Sequence, residues 1–149
     1  MIEYSEFLLR IAAAAFCGFL VGIEREIKSK PLGARAYILT AAASATWMIF
    51  KLNFSIQTSE IDDGFSVDPT RLIQGLVGAI GFLGAGAIMS TTERGRLRGV
   101  ASGAAIWGVG AIGVACGMGY VKEALTLAVL YGAVLFTYDV ITPGDGDDS

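Results

Sequence analysis

"LIQGLVGAIGFLGAGAI", residues 72 to 88, is apolar almost throughout, yet Gly75, Gly78, Gly81, Gly84 and Gly86 interrupt it. Glycine weakens a helix in water because it gives up the most backbone freedom. Inside a bilayer the backbone must satisfy its own hydrogen bonds, and small residues let helices approach closely, so the same run reads as a membrane helix built for packing. Composition agrees with that setting: 54% of the 149 residues are hydrophobic and 17% are charged, with a mean hydropathy of +0.60. A water-soluble domain has a different balance.

Working outward, five mostly apolar stretches run from Phe7 to Ile23, Ala36 to Leu52, Leu72 to Met89, Val100 to Met118 and Val121 to Tyr138. At about 1.5 Å per residue, each reaches across a hydrocarbon layer of about 30 Å with some interfacial overhang. The expected fold is all-α, a bundle of about five transmembrane helices. Residues 1–142 form one membrane domain, and residues 143–149 form a short acidic tail that is too polar and too rich in breakers to fold. The first span lacks a basic leader and a small-residue cleavage site, so it reads as a retained helix. The fourth and fifth spans are separated only by Gly119 and Tyr120, which implies a tight hairpin.

Orientation follows from lysine and arginine in short loops. Arg25, Lys28, Lys30 and Arg35 follow the first span, and Arg94, Arg96 and Arg98 follow the third. The connection after the second span carries Glu60, Asp62, Asp63 and Asp68 before any basic residue. The N-terminus is therefore expected outside and the C-terminus in the cytoplasm. The net charge of -3 gives no footprint for nucleic acid.

The chemistry-bearing residues are few. With no histidine in the chain, a Ser-His-Asp site or a histidine-held metal centre is excluded. No nucleophile and base pair can be assembled, so no catalytic residue, cofactor or enzymatic activity is expected. Arg10 is the one charge deep in a span, within snorkelling reach of Glu6. Cys17 and Cys116 both lie in apolar spans and read as small hydrophobes rather than as a disulfide.

At the end of the first span, "GIEREIKSKPLGARAY" (22–37) gathers Glu24, Arg25, Glu26 and Arg35. Continued helix pairs Glu24 with Lys28 and Glu26 with Lys30 at i to i+4 before Pro31 and Gly33 end it. These charges either fix orientation at the membrane edge or form an ion or partner site there. "VDPTRLIQG" (67–75) opens the third span, with Asp68 as N-cap, Pro69 in the first helical position, Arg71 in the first turn and Gln74 one turn inside. The acidic connection lacks the alternating ligands of a calcium loop, and whether any residues hold a metal is left open.

Glycine pairs at small-xxx-small spacing recur at Gly18 and Gly22, Gly99 and Gly103, and Gly113 and Gly117, so close contact among the first, third and fourth spans is expected. The sharper alternative is that Gly81, Gly84 and Gly86 break the third helix and free carbonyls for a cation. "VGAIG" occurs at 77–81 and again at 109–113. An ATP-synthase rotor subunit also packs on glycine, but it needs a carboxylate near mid-membrane, and neither the third nor the fourth span has one.

"GFLVGIEREIKSKPLGARAY", "DPTRLIQGLVGAIGFLGAGAIM" and "RGVASGAAIWGVGAIGVACGMGYVKEA", in that order, resemble the membrane domain of the MgtC/SapB family across residues 7 to 138. The matching positions include Glu24, Arg25, Glu26, Arg35, Asp68, Arg71 and the glycines from Gly78 to Gly86. Two positions depart from the family pattern: Ala36 stands where relatives tend to carry threonine, and "ASGAA" replaces a threonine-containing run before Trp107. The chain also stops soon after the fifth span, without the soluble C-terminal domain of some members. The resemblance implies a bacterial inner-membrane protein linked to magnesium limitation, acid stress or intracellular survival. It further implies a regulator acting through helix contacts with its own copy or a membrane partner such as the membrane sector of ATP synthase, in contact with lipid. The alternative it leaves is a channel or transporter for a small cation such as Mg²⁺.

Overall fold

The structure, a computed structural model, describes residues 1–30, 32–59, 68–88 and 99–141. It consists of five helices: α1 (Tyr4–Ile27), α2 (Ala34–Ser59), α3 (Pro69–Ile88), α4 (Val100–Met118) and α5 (Val121–Ile141). No strand occurs among the described residues. By length and composition, three helical segments can cross a membrane: Tyr4–Ile27, Thr70–Ile88 and Val100–Met118. The expected acidic connection at Glu60, Asp62 and Asp63, the basic residues Arg94, Arg96 and Arg98, and the tail 143–149 lie outside the described residues.

Helix ends follow local chemistry. At the start of α3, Asp68 Oδ1 accepts hydrogen bonds from the Thr70 N–H at 2.8 Å and the Thr70 hydroxyl at 2.7 Å. That is an N-cap, with Pro69 in the position where its missing N–H costs nothing. The bonds from Thr70 hold the exposed Asp68 carboxyl below the usual carboxylate range, with Lys51 adding a weaker pull. α4 ends in a Schellman turn: Tyr120 N–H reaches Ala115 C=O at 2.9 Å and Gly119 N–H reaches Cys116 C=O at 3.0 Å. Gly119 takes φ +94° there, a conformation suited to glycine, and α5 starts two residues later. α1 ends the same way, before Pro31, with Ser29 at φ +49° and Lys30 N–H bonded to Arg25 C=O at 3.0 Å.

α4 is the axis of the bundle. Over its membrane-length window 61% of residues are buried, against 17% for α3 and 28% for α1, which makes α3 peripheral. α4 buries most of its circumference and leaves one stripe exposed, at Ala104, Trp107, Ala111 and Met118, and its buried surface is shaped by glycine. Gly113 and Gly117 lie against Ala41, Ser44, Ala45 and Met48 of α2, Gly108 against Tyr131 of α5, and Gly110 against Ile80 of α3. Gly103 and Gly84 meet backbone to backbone, a Cβ on Gly103 falling 2.7 Å from the Gly84 carbonyl oxygen. Val21, Tyr37, Ala41, Ile106, Val109 and Ile112 fill the core between them.

Two arrangements differ from what spacing suggests. Gly18 and Gly22 of α1 lie against α2, at Tyr37, Ile38 and Ala34, rather than against α3 or α4. Spacing defines a smooth helix face but not the neighbour that uses it. α3 is also continuous from Pro69 to Ile88, so Gly81, Gly84 and Gly86 do not break it and no carbonyls are released there.

Candidate functional site

The C-terminal turn of α1, the first turns of α2 and α4 and the last turn of α3 meet at one end of the bundle. Gly22 against Ala34, Gly84 against Gly103 and Gly99 against Ala87 fix that convergence. Here α1 buries two charged side chains, Glu24 at 7% exposure and Arg25 at 2%. Ions removed from water need partners at once. Arg25 Nε stands 2.9 Å from Glu24 Oε2 and Lys28 Nζ 2.8 Å from Glu24 Oε1. The Glu24 to Lys28 pair is one of the two that i to i+4 spacing predicts.

Neither contact is aligned as a hydrogen bond: both Glu24 oxygens and Arg25 Nε lack one. The attraction is therefore mainly ionic, and it works through a burial that screens it little. Lys28 also stands 5.5 Å from the centre of the Phe136 ring, tying the cluster to α5.

Glu26 does different work. Its side chain is exposed, and its Oε2 accepts the Ala34 N–H at 2.8 Å. The carboxylate thus occupies one of the open donors at the N-terminus of α2. Gly33 is pressed against the same carboxylate, where a Cβ would collide. Arg35 is exposed one position further on.

Tyr37 and Ser102 complete this end, and spacing does not reveal them. The fully buried Tyr37 hydroxyl donates to the Ser102 carbonyl at 3.2 Å, joining α2 to the first turn of α4. The Ser102 hydroxyl is itself buried without a hydrogen-bond partner. A tyrosine in the first turn of an apolar span is the signal in the sequence, because a buried phenol needs an acceptor.

The remaining site candidates are elsewhere. Asp68, Arg71 and Gln74 stand at the start of α3, the far end from its Gly84 contact with α4, and all three are exposed. Arg71 Nε is 3.9 Å from Asp68 Oδ2, a loose surface pair. The bundle therefore separates the acidic candidates: Glu24 and Glu26 are at one end and Asp68 at the other. Among the described residues no group of three or more metal-ligating side chains converges.

At that far end Arg10 closes the bundle. Its Nη1 donates to the Gly117 carbonyl at 2.7 Å and its Nη2 pairs with Glu6. One guanidinium thus occupies an orphan carbonyl at the end of α4 and holds α1 to the α4–α5 hairpin. Arg10→Met should lower unfolding stability in detergent by about 2 kcal/mol, the scale of a hydrogen bond to a charged group. SDS-driven unfolding checks it, and a variant as stable as the parent would mean that the clamp contributes little.

On α3 the glycines divide. Gly84 is buried against Gly103, while a Cβ on Gly75, Gly78, Gly81 or Gly86 would meet nothing within 4 Å. Gly75, Ala79, Phe82 and Gly86, spaced i, i+4, i+7 and i+11, form one exposed stripe beside Gly78.

Comparison with known proteins converges on one family. The family model described as "MgtC family" matches residues 11–142. Protein SapB of Bacillus subtilis (strain 168) is 34% identical over 119 residues, covering 80% of this chain and 50% of SapB. Protein MgtC of Brucella abortus (strain 2308) is 35% identical over 124 residues, covering 83% of this chain and 48% of that protein. Protein MgtC of Salmonella typhimurium (strain LT2) is 34% identical over 124 residues, with 83% and 48% covered. The chain thus spans about half the length of these relatives. No solved structure matches it.

Proposed function

This chain belongs to the MgtC family, and on that premise we propose that it is a non-enzymatic regulator in the bacterial inner membrane that works by helix docking. In this reading all five helices span the bilayer, the N-terminus faces outward, and the Glu24 and Arg25 end lies at the cytoplasmic surface. The role is the family's link to magnesium limitation, acid stress or intracellular survival. The docked helix comes from a second copy or from a membrane protein such as the membrane sector of ATP synthase.

The observation that carries this reading is the open glycine face of α3. Glycines on α4 and α1 are occupied by neighbouring helices, whereas Gly75, Gly78 and Gly86 face outward with open space around them. A lipid-facing helix gains nothing from glycine, but a docking face does, since helices in a membrane associate through backbone approach. The alternative of a channel or transporter for a small cation such as Mg²⁺ has less support. Glu24 is already held between Arg25 and Lys28, an arrangement that repels a further cation, and Mg²⁺ dehydrates reluctantly.

Substitution on the two sides of α3 tests the reading. Gly78→Leu should leave the protein folded and reduce its cross-linking to a second copy or to partner subunits in membranes. Gly84→Leu, set against the Gly103 backbone, should disturb the fold itself. Unchanged association in Gly78→Leu, together with Mg²⁺ flux from liposomes holding the parent protein, would sink the docking reading and favour transport.

A further inference from the structure

The exposed stripe of α4 has a helix on either side. α3 meets α4 along Gly103 and Gly110, and α5 meets it at Gly108. Gly108 and Gly110 are two residues apart, about 200° around the helix. α3 and α5 therefore stand on nearly opposite sides of α4, and among the described residues they do not touch each other. The three helices form one row, with the stripe of Ala104, Trp107 and Ala111 down its middle.

The two edges of that stripe differ. On the α3 side stands Trp107, 49% exposed, beside Val77 and Gly110. On the α5 side lies an apolar groove of about 440 Å³, between Ala101, Ala104 and Ala105 of α4 and Leu130, Tyr131 and Val134 of α5. Tryptophan in a membrane protein favours the water interface, where its N–H stays wet. Trp107 stands instead near the middle of α4, and a large aromatic side chain there suits the centre of a protein contact. A helical side chain covers the turn before its own Cα, so the indole lies at the depth of Ala104, which is the depth of the groove.

We propose that this row is the interface of a homodimer, in which Trp107 of each copy fills the α4–α5 groove of the other. Copies inserted in the same direction are related by a two-fold axis along the membrane normal. That operation keeps depth and exchanges sides, so the α3 edge of one copy faces the α5 edge of its mate. Knob and groove, which sit on opposite edges at one depth, then meet twice. Three helices at roughly 8–10 Å spacing and about 1.5 Å per residue give a face on the order of 700 Å², close to the roughly 800 Å² per partner of a stable interface. The proposal shares with the docking reading that helices associate within the membrane, but it uses the α4 face and leaves the outward glycines of α3 to a different helix.

The test follows the whole protein, fluorescently labelled at its C-terminus, in liposomes of increasing lipid content, with dimers counted by single-molecule photobleaching. The parent should be dimeric, and Trp107→Ala should weaken association by roughly tenfold or more, the scale of an interface hot spot. Ala104→Phe, which fills the groove from an exposed position, should do the same, and Gly78→Leu should leave the dimer intact. Trp107→benzoylphenylalanine, irradiated in membranes, should cross-link to the second copy between Leu130 and Val134. A monomeric parent at every lipid content overturns the dimer, as does a dimer indifferent to both Trp107→Ala and Ala104→Phe, or a cross-link to lipid or another protein alone. A dimer lost in Gly78→Leu but kept in Trp107→Ala also overturns it, while leaving the docking reading of α3 in place.

Discussion

Arg25→Met should destabilise the protein by about 3 kcal/mol or more, the cost typical of removing one partner from a buried ion pair. Arg25 is 2% exposed and its Nε lies 2.9 Å from Glu24 Oε2. With the guanidinium gone, the Glu24 carboxylate stays buried and keeps only Lys28 at 2.8 Å. The loss is then mostly the cost of a charge left poorly compensated, not the value of the original pair. Glu24→Gln should also destabilise, because Arg25 and Lys28 would then repel one another without an anion between them. The double variant Glu24→Gln with Arg25→Met should lose clearly less than the sum of the two, since neither uncompensated charge survives together with the other. Equilibrium unfolding in mixed detergent measures all three. An Arg25→Met cost below about 1 kcal/mol, the range of exposed pairs, would mean that water reaches the cluster and that it merely marks the membrane edge.

The sequence makes some of this architecture readable because certain features are decided within one turn of chain. "VDPT" specifies the start of α3 through a side chain and a backbone N–H two residues apart. Glu24 and Lys28 meet because four residues on a helix share a face. Gly119 forces the α4–α5 turn because few residues accept φ +94°. What is not readable depends on which helix stands beside which. The Glu26 carboxylate accepts the Ala34 N–H, eight residues away, because the chain folds back across Gly33, a contact that i to i+4 spacing does not announce. The glycines of α1 announce a smooth face without naming α2 as its partner. Tyr37 and Ser102 are brought together over a long separation by packing alone, and no periodicity records that.

Glycine supplies the second large effect, because the same residue type serves opposite purposes on two helices. A methyl group at Gly113 would run into the Ala41 carbonyl and come within 2.8 Å of Ser44 Cβ. Both obstacles belong to α2 or sit next to its backbone, so no side chain can swing aside. α2 and α4 must separate, and core contacts around Ala41, Ala45, Val109 and Ile112 loosen with them. Gly113→Ala should cost about 3 kcal/mol, the upper part of the range for overpacked interiors. Gly117→Ala should behave alike, with Ala45 O and Met48 Cβ each 2.7 Å from the added carbon. Gly78→Ala meets open space and should be neutral or stabilising by up to about 1 kcal/mol, the helix preference of alanine over glycine. Thermal unfolding of the three variants in one detergent separates the cases. Equal stability of Gly113→Ala and Gly78→Ala would mean that α2 and α4 do not approach as closely as their backbones indicate. A large difference, with Gly78→Ala folded, ties the cost to backbone contact on α4 and leaves the outward glycines of α3, Gly75, Gly78, Gly81 and Gly86, without a structural role inside the monomer. Their remaining use is then toward whatever helix comes to lie on that face.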